Sequence, residues 1–414
     1  MRKLISWTAA SILTILAGTG LYFHEDIQKL RALKAYAKAF TPENIDNNMR
    51  TLHASYPSKD IAPPTQTYKL QEALGTIALP ETFMYDGKPV STLGYLSASH
   101  TTGFAVLQGD KLLYESYMRG NTRESNALQM SVSKSITSVL TGIAVDKGLI
   151  EDVEDQVVKY VPELKGSAYD GARLKDVLEM SSGIRWNEDY KDLDSDLVQS
   201  VVAVLTGSLD DYTKQVVKER APGTQNLYAS IDTYVLGWVI RNATGQAYED
   251  WFNEQLWSKL GAEGSAKILV DTKGQPVVYG GFNLRLRDMI RFGKMVMDGG
   301  VNHKGERVVS QEWLRASVTP DSPRLQPGFN NPDSSSPLGY KYQWWLPLES
   351  DGGDFTAIGL YGQFIYVNPV RKVVIVKTSS DPTYSEAEKG LRVRLQTISM
   401  MQAIAKHLGE APES

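Results

Sequence analysis

A serine three residues ahead of a lysine, Ser131-Val132-Ser133-Lys134, is the pattern in this 414-residue chain best suited to covalent chemistry. Positions three apart on a helix share a face, so the hydroxyl and the amine meet one turn apart. A serine hydroxyl is a poor nucleophile until a base takes its proton, and a lysine removed from water has a lowered pKa and can serve as that base. The start of a helix also puts developing negative charge at the positive end of the helix dipole. Alone, so short a motif is weak, and its bland reading is a capping serine beside a solvated lysine. Here it opens an apolar stretch (Ile136, Val139, Leu140, Ile143, Val145), where a lysine without a task would be expensive to bury.

A second group stands downstream, where Pro222-Gly223 makes a turn ahead of Leu227-Tyr228-Ala229-Ser230. A tyrosine on a loop before a helix suits proton relay if cationic neighbours depress its pKa. Taken singly, such a residue is more often a core tyrosine. The rival chemistries find little support. His24, His53, His100, His303 and His407 adjoin no nucleophile motif, and the chain has no G-x-S-x-G elbow, so a Ser-His-Asp triad is disfavoured. Cysteine is absent, which excludes thiolate catalysis, disulfides and cysteine-bound metal. No H-E-x-x-H or histidine cluster suggests zinc, and acyl transfer through a serine requires no metal or organic cofactor.

These residues need a framework. With 42% hydrophobic and 22% charged residues, the chain has the composition of a globular protein with a large core. A net charge of -4 with scattered Lys and Arg gives no electrostatic reason to expect nucleic acid as a partner. Thr102 to Tyr117 reads as a hairpin around Gly109-Asp110, and Ser131 to Gly148 as an apolar helix. Leu174 to Met180, Ile231 to Asn242, Tyr248 to Leu260 and Leu284 to Met297 also read as helices. Gln363 to Val367 and Val373 to Val376 read as strands, and Glu386 to Leu408 as a closing helix. Strands at both ends with helices between them predict an α+β fold, an antiparallel sheet built from both ends of the domain with an inserted helical subdomain.

Ahead of that domain, Arg2 and Lys3 precede an uncharged run from Leu4 to Phe23, long enough to cross a bilayer as a helix. Residues 1–23 are either a cleaved signal peptide or a retained anchor, and the lack of an A-x-A site favours the anchor. Lys29, Arg31, Lys34 and Lys38 beyond it outnumber the two leading cations, so the positive-inside count does not itself favour export. The compact basic start still resembles an export signal. The expectation is a tethered protein with its catalytic domain outside the cytoplasm, secreted if the segment is cleaved. Residues 24–92 then form a stalk and linker arm, and 93–414 the catalytic domain.

From about Gly94 onward the chain resembles the serine β-lactamase-related superfamily, which includes class C β-lactamases, DD-peptidases, family VIII-like esterases and 6-aminohexanoate-dimer hydrolases. Met130-Ser131-Val132-Ser133-Lys134-Ser135 and Tyr228-Ala229-Ser230 carry the resemblance, with support from Gly280-Gly281-Phe282-Asn283 and Gly359-Leu360-Tyr361-Gly362-Gln363. Each piece is common, whereas their order and spacing together are specific. The resemblance implies Ser131 as nucleophile, Lys134 as base and Tyr228 as second proton carrier. It also implies the backbone N–H groups of Ser131 and Leu360 as oxyanion donors, and Tyr190, Ser230 and Gly359 as substrate-binding residues. Lactamases and peptidases usually carry Lys-Thr-Gly on the strand lining the site, where this chain has Ala357-Ile358-Gly359. Lys377-Thr378-Ser379 is a decoy on the next strand. Tyr-x-Ser in place of Tyr-x-Asn points the same way, as does Ser182 to Tyr190, which is similar to the amide-oligomer hydrolases. The expected substrate is therefore a small ester, amide or peptide. A cell-wall peptidase, a β-lactamase or a membrane-tethered binding protein are the alternatives.

Overall fold

Strand Thr101–Gln108 sends Phe104 and Val106 to one apolar environment and Ala105 and Leu107 to another. Val373–Ser379 does the same with Val373 and Ile375 against Val374 and Val376, and Gln363–Asn368 with Phe364 and Tyr366 against Ile365 and Val367. A strand apolar on both faces belongs to a sheet covered on both sides. The computed structural model describes residues 26–409 and builds these strands into an eight-stranded sheet. Its order is Gly339–Lys341, Trp344–Leu346, Phe355–Gly359, Gln363–Asn368, Val373–Ser379, Thr101–Gln108, Lys111–Tyr117 and Gln71–Glu72. Every ladder is antiparallel except the outermost, where Gln71–Glu72 runs parallel to Lys111–Tyr117. Ile375 lies opposite Val106 at the centre, so the sheet is assembled from both ends of the domain as expected.

Helix Leu286–Met297 packs across three central strands on one face. Helix Ala387–Leu408 covers the other, burying Met400, Met401 and Ile404 with Phe104 and Ile375. The hairpin expected at Thr102 to Tyr117 forms, with Gly109 at φ 56 in its turn. The stretch read as one helix from Leu284 begins instead as strand Phe282–Arg285 and turns helical at Leu286. That strand sits in a second, four-stranded sheet, between Ala266–Leu269 and Asn126–Leu128. Helix Asp196–Thr206 was not legible beforehand.

The region before the hairpin lies on this framework. Residues 26–39 are helical, and helix Ile45–Ser55 buries Ile45, Met49 and Leu52 in the core cluster that holds Phe104. Ser58–Ile61 then pairs antiparallel with Ala266–Leu269. From residue 26 on, the stretch expected as stalk and arm is thus part of the packed body. The anchor or signal expected at 1–23 lies outside the described residues. Among the described residues, no helix is long and apolar enough to cross a membrane.

Candidate active site

Asn126–Leu128 ends three residues before the nucleophile, and Gln129 then ties back to the same sheet through its N–H to the Phe282 carbonyl at 2.7 Å. Met130 takes a left-handed φ of 47, unusual for a side chain of its size, and the chain turns directly into helix Val132–Asp146. Val132, Ile136, Val139, Leu140 and Ile143 bury this helix against helix Ser230–Thr244 and strand Phe355–Gly359. Ser131 is therefore held at the first turn of a buried helix.

One turn on, Lys134 points back. Its Nζ lies 2.8 Å from Ser131 Oγ and donates to the Tyr279 carbonyl at 2.9 Å. The side chain is 1% exposed and, among the described residues, contacts no carboxylate, and the rings of Tyr228 and Tyr279 flank the amine at 5.1 and 5.6 Å. Burial lowers its pKa from 10.5 to about 7, with Glu188 pulling weakly the other way. At neutral pH a large fraction of this lysine is a free amine, as a general base must be.

Tyr228 is fixed by its loop. The Leu227 N–H donates to the Met180 carbonyl at 2.8 Å, and the Tyr228 N–H to Ser335 Oγ at 3.1 Å. Its ring packs on Tyr340 and Trp345. The depressed phenol that cationic neighbours would give is not what forms. Burial and the Glu188 carboxylate raise the Tyr228 pKa, against a smaller lowering by the Ser131 hydroxyl. Tyr228 is accordingly a neutral phenol at neutral pH, able to give a proton and not to take one.

The remaining expected residues divide. Gly359 brings its strand end against the loop before Ser131 so closely that a Cβ would stand 2.5 Å from the Gln129 carbonyl. That approach sets Leu360 beside the nucleophile, followed by Tyr361 at a left-handed φ of 63. Among the described residues, neither the Ser131 nor the Leu360 N–H donates to another group of the chain, which leaves both for an oxyanion. Tyr190 stands at the mouth of the site, its hydroxyl 3.4 Å from Glu188. Ser230 is differently employed, because both its N–H (3.0 Å) and its hydroxyl donate to Glu188.

Glu188 is the residue sequence reasoning passed over. It also accepts from the Trp186 indole, so four donors hold one carboxylate beside the catalytic pair. Its spacing from Trp186 and Tyr190 was the available signal. A second omission is Arg394, on the C-terminal helix, whose guanidinium lines the cleft with a buried Nε that has no acceptor among the described residues. Lys377 is fully buried and lines no cavity at the nucleophile, so the lysine-bearing triplet is a decoy in space as well as in sequence. Among the described residues, no histidine lines the site.

Two cavities meet at Ser131. The larger, about 690 Å³, is an open cleft walled by Glu188, Tyr228, Trp345 and Arg394. The smaller, about 140 Å³, is apolar and extends beneath the N-terminal helices. Tyr190 and Leu360 border both.

The β-lactamase family model matches residues 96–398. The chain is 36% identical over 297 residues to a 6-aminohexanoate-dimer hydrolase of Paenarthrobacter ureafaciens, covering 69% of this chain and 74% of that one. In fold it is similar to a candidate 6-aminohexanoate-dimer hydrolase from Bacillus anthracis, with a TM-score of 0.79, 22% identity and coverage of 91% and 97% of the two chains. EstCE1, a hydrolase with promiscuous acyltransferase activity, matches with a TM-score of 0.56, 12% identity and coverage of 76% and 98%.

Proposed function

The chain belongs to the β-lactamase family and is a serine hydrolase of the amide- and ester-cleaving kind, and on that premise we propose that it works through an acyl-enzyme on Ser131. The observation that carries this reading is the 2.8 Å approach of a desolvated Lys134 amine to the Ser131 hydroxyl. Ser131 Oγ bonds to the substrate carbonyl carbon as its proton passes to Lys134 Nζ. The carbonyl oxygen, now negative, is held by the N–H groups of Ser131 and Leu360. The bond to the leaving oxygen or nitrogen breaks as Tyr228 gives that atom its proton, and Tyr228 is reprotonated from Lys134. Water then attacks the acyl carbon, loses a proton to the same base, and Ser131 leaves with its proton restored.

Tyr228 lines only the larger cleft, so the leaving group departs into that cleft and the acyl group lies on the side of the smaller cavity. The absence of a lysine on strand Phe355–Gly359 favours esters and linear amides over carboxylate-anchored lactams. A fluorophosphonate label tests the assignment. It should attach to Ser131 in the wild-type protein and fail in Ser131→Ala, and a labelled Ser131→Ala protein would refute it. We further propose that residues 4–23 tether the domain outside the cytoplasm, an inference from their uncharged run after Arg2 and Lys3. Recovery of the full-length protein in the soluble cytoplasmic fraction would refute that.

A further inference from the structure

Among the described residues, no charged side chain lines the smaller cavity. Its outer wall is Tyr36, Ala39, Phe40, Leu52 and Tyr56, all from the two N-terminal helices and the residue after them. Its inner wall includes Leu197, Val201, Val204 and Leu205 of helix Asp196–Thr206, with Val277 behind. The outer wall is anchored. Phe40 stacks on Tyr361 with ring centroids 4.9 Å apart, the Tyr36 hydroxyl donates to the Tyr190 carbonyl at 3.1 Å, and Leu52 is buried. The N-terminal helices are thus clamped onto the oxyanion loop and onto the tyrosine that borders both cavities. A space of about 140 Å³ resembles the engineered 150 Å³ apolar cavity that stays dry and accepts benzene, so it suits on the order of six carbons.

We infer that this cavity is an acyl pocket, and that the substrate is an ester or amide of a neutral, unbranched acyl chain of about six carbons. The inference rests on the acyl-enzyme reading, since the leaving-group side was assigned through Tyr228. A chain laid from Ser131 into the cavity meets only hydrocarbon and aromatic walls with a few hydroxyls. An acyl group ending in an ammonium would bury an unpaired charge there, which is strongly unfavourable. The N-terminal helices then set chain-length specificity, although the family match begins only at residue 96.

The experiment is a kcat/KM series on p-nitrophenyl acetate, butyrate, hexanoate, octanoate and decanoate, with p-nitrophenyl 6-aminohexanoate as the charged counterpart of hexanoate. Each buried methylene should raise kcat/KM roughly threefold to fourfold, on the order of a hundredfold from acetate to hexanoate, with a fall once the chain outgrows the cavity. The 6-aminohexanoate ester should be at least about a hundredfold poorer than hexanoate. Val201→Phe should reduce the hexanoate-to-acetate ratio about tenfold or more, and Val201→Ala should move the optimum to a longer chain. Thermal melting establishes that both variants fold. A flat chain-length profile, a ratio unchanged in both variants, or equal turnover of the ammonium ester would overturn the acyl pocket. If instead no ester of any length is cleaved and Ser131 takes no fluorophosphonate, it is the acyl-enzyme reading that fails.

Discussion

Replacing Lys134 by methionine should abolish turnover and yet make the protein more stable at pH 6, an advantage that is lost as pH rises. Burial moves the lysine pKa from 10.5 to about 7, and a shift of this size represents on the order of 5 kcal/mol at about 1.4 kcal/mol per unit. A folded-state pKa below the unfolded value means that the unfolded chain holds the extra proton between the two. Stability carried by this residue therefore rises with pH from about 7 to 10.5, and the full penalty of the buried charge is present below about 7. Methionine removes that penalty. It also removes the hydrogen bonds to Ser131 Oγ and the Tyr279 carbonyl, which together offset roughly 2–4 kcal/mol. That loss does not vary with pH. Lys134→Met should accordingly be more stable than the wild type by about 1–3 kcal/mol at pH 6 and less stable at pH 9.5, a swing of about 3 kcal/mol. Urea unfolding of both proteins at the two pH values measures the difference, with all other titrating groups common to both. A gap that does not change with pH would refute the desolvated lysine, and with it the base.

Four further outcomes follow from the same geometry. The kcat/KM of the wild-type enzyme should rise as pH climbs through about 7, where Lys134 becomes a free amine, and Lys134→Arg should not restore activity because guanidinium does not deprotonate. Glu188→Gln removes a carboxylate that supports the Lys134 ammonium, so the rising limb should move to lower pH; an unmoved or upward-shifted limb would count against that role. Tyr228→Phe should reduce turnover on the order of 10² for anilides and less for p-nitrophenyl esters, whose leaving group needs no proton; equal losses would remove Tyr228 as the acid. Hexanoate ester should be cleaved with a kcat/KM roughly ten- to a hundredfold above nitrocefin, since Lys377 is buried away from the cleft, and the reverse order would favour the lactamase branch.

What could be read beforehand was what local patterning determines. The S-x-x-K spacing and the apolar run after it dictate a buried helix with two reactive groups on one face, and that helix forms. Unbroken apolar runs likewise specified the central strands Gln363–Asn368 and Val373–Ser379. The losses were of two kinds. Glu188 acts on the site through donors 2 and 42 residues away, and a carboxylate in a polar loop carries no sign of that until Ser230 and Trp186 close around it. The N-terminal helices read as a stalk because their polar faces dominate. Only Ile45, Met49 and Leu52 of the second helix are fully buried, too few to mark it as part of an active-site wall.

The surroundings of Lys134 and Tyr228 push the pKa values of the two groups in opposite directions. A relay with a depressed phenol would have required cations strong enough to overcome burial, and Arg394 is not. Instead a single cause, removal from water, drives both partners toward their neutral forms, which for lysine means a lower pKa and for tyrosine a higher one. A neutral amine accepts a proton and a neutral phenol gives one, so the same apolar enclosure assigns the base and the acid without any change of residue type. Glu188 then acts unequally on the two. It strengthens the tyrosine's hold on its proton, and it keeps the lysine from falling further, to values where a free amine would be too weak a base to draw the Ser131 proton. One carboxylate, held by Trp186, Tyr190 and Ser230, therefore offsets part of the burial that lowers the lysine pKa.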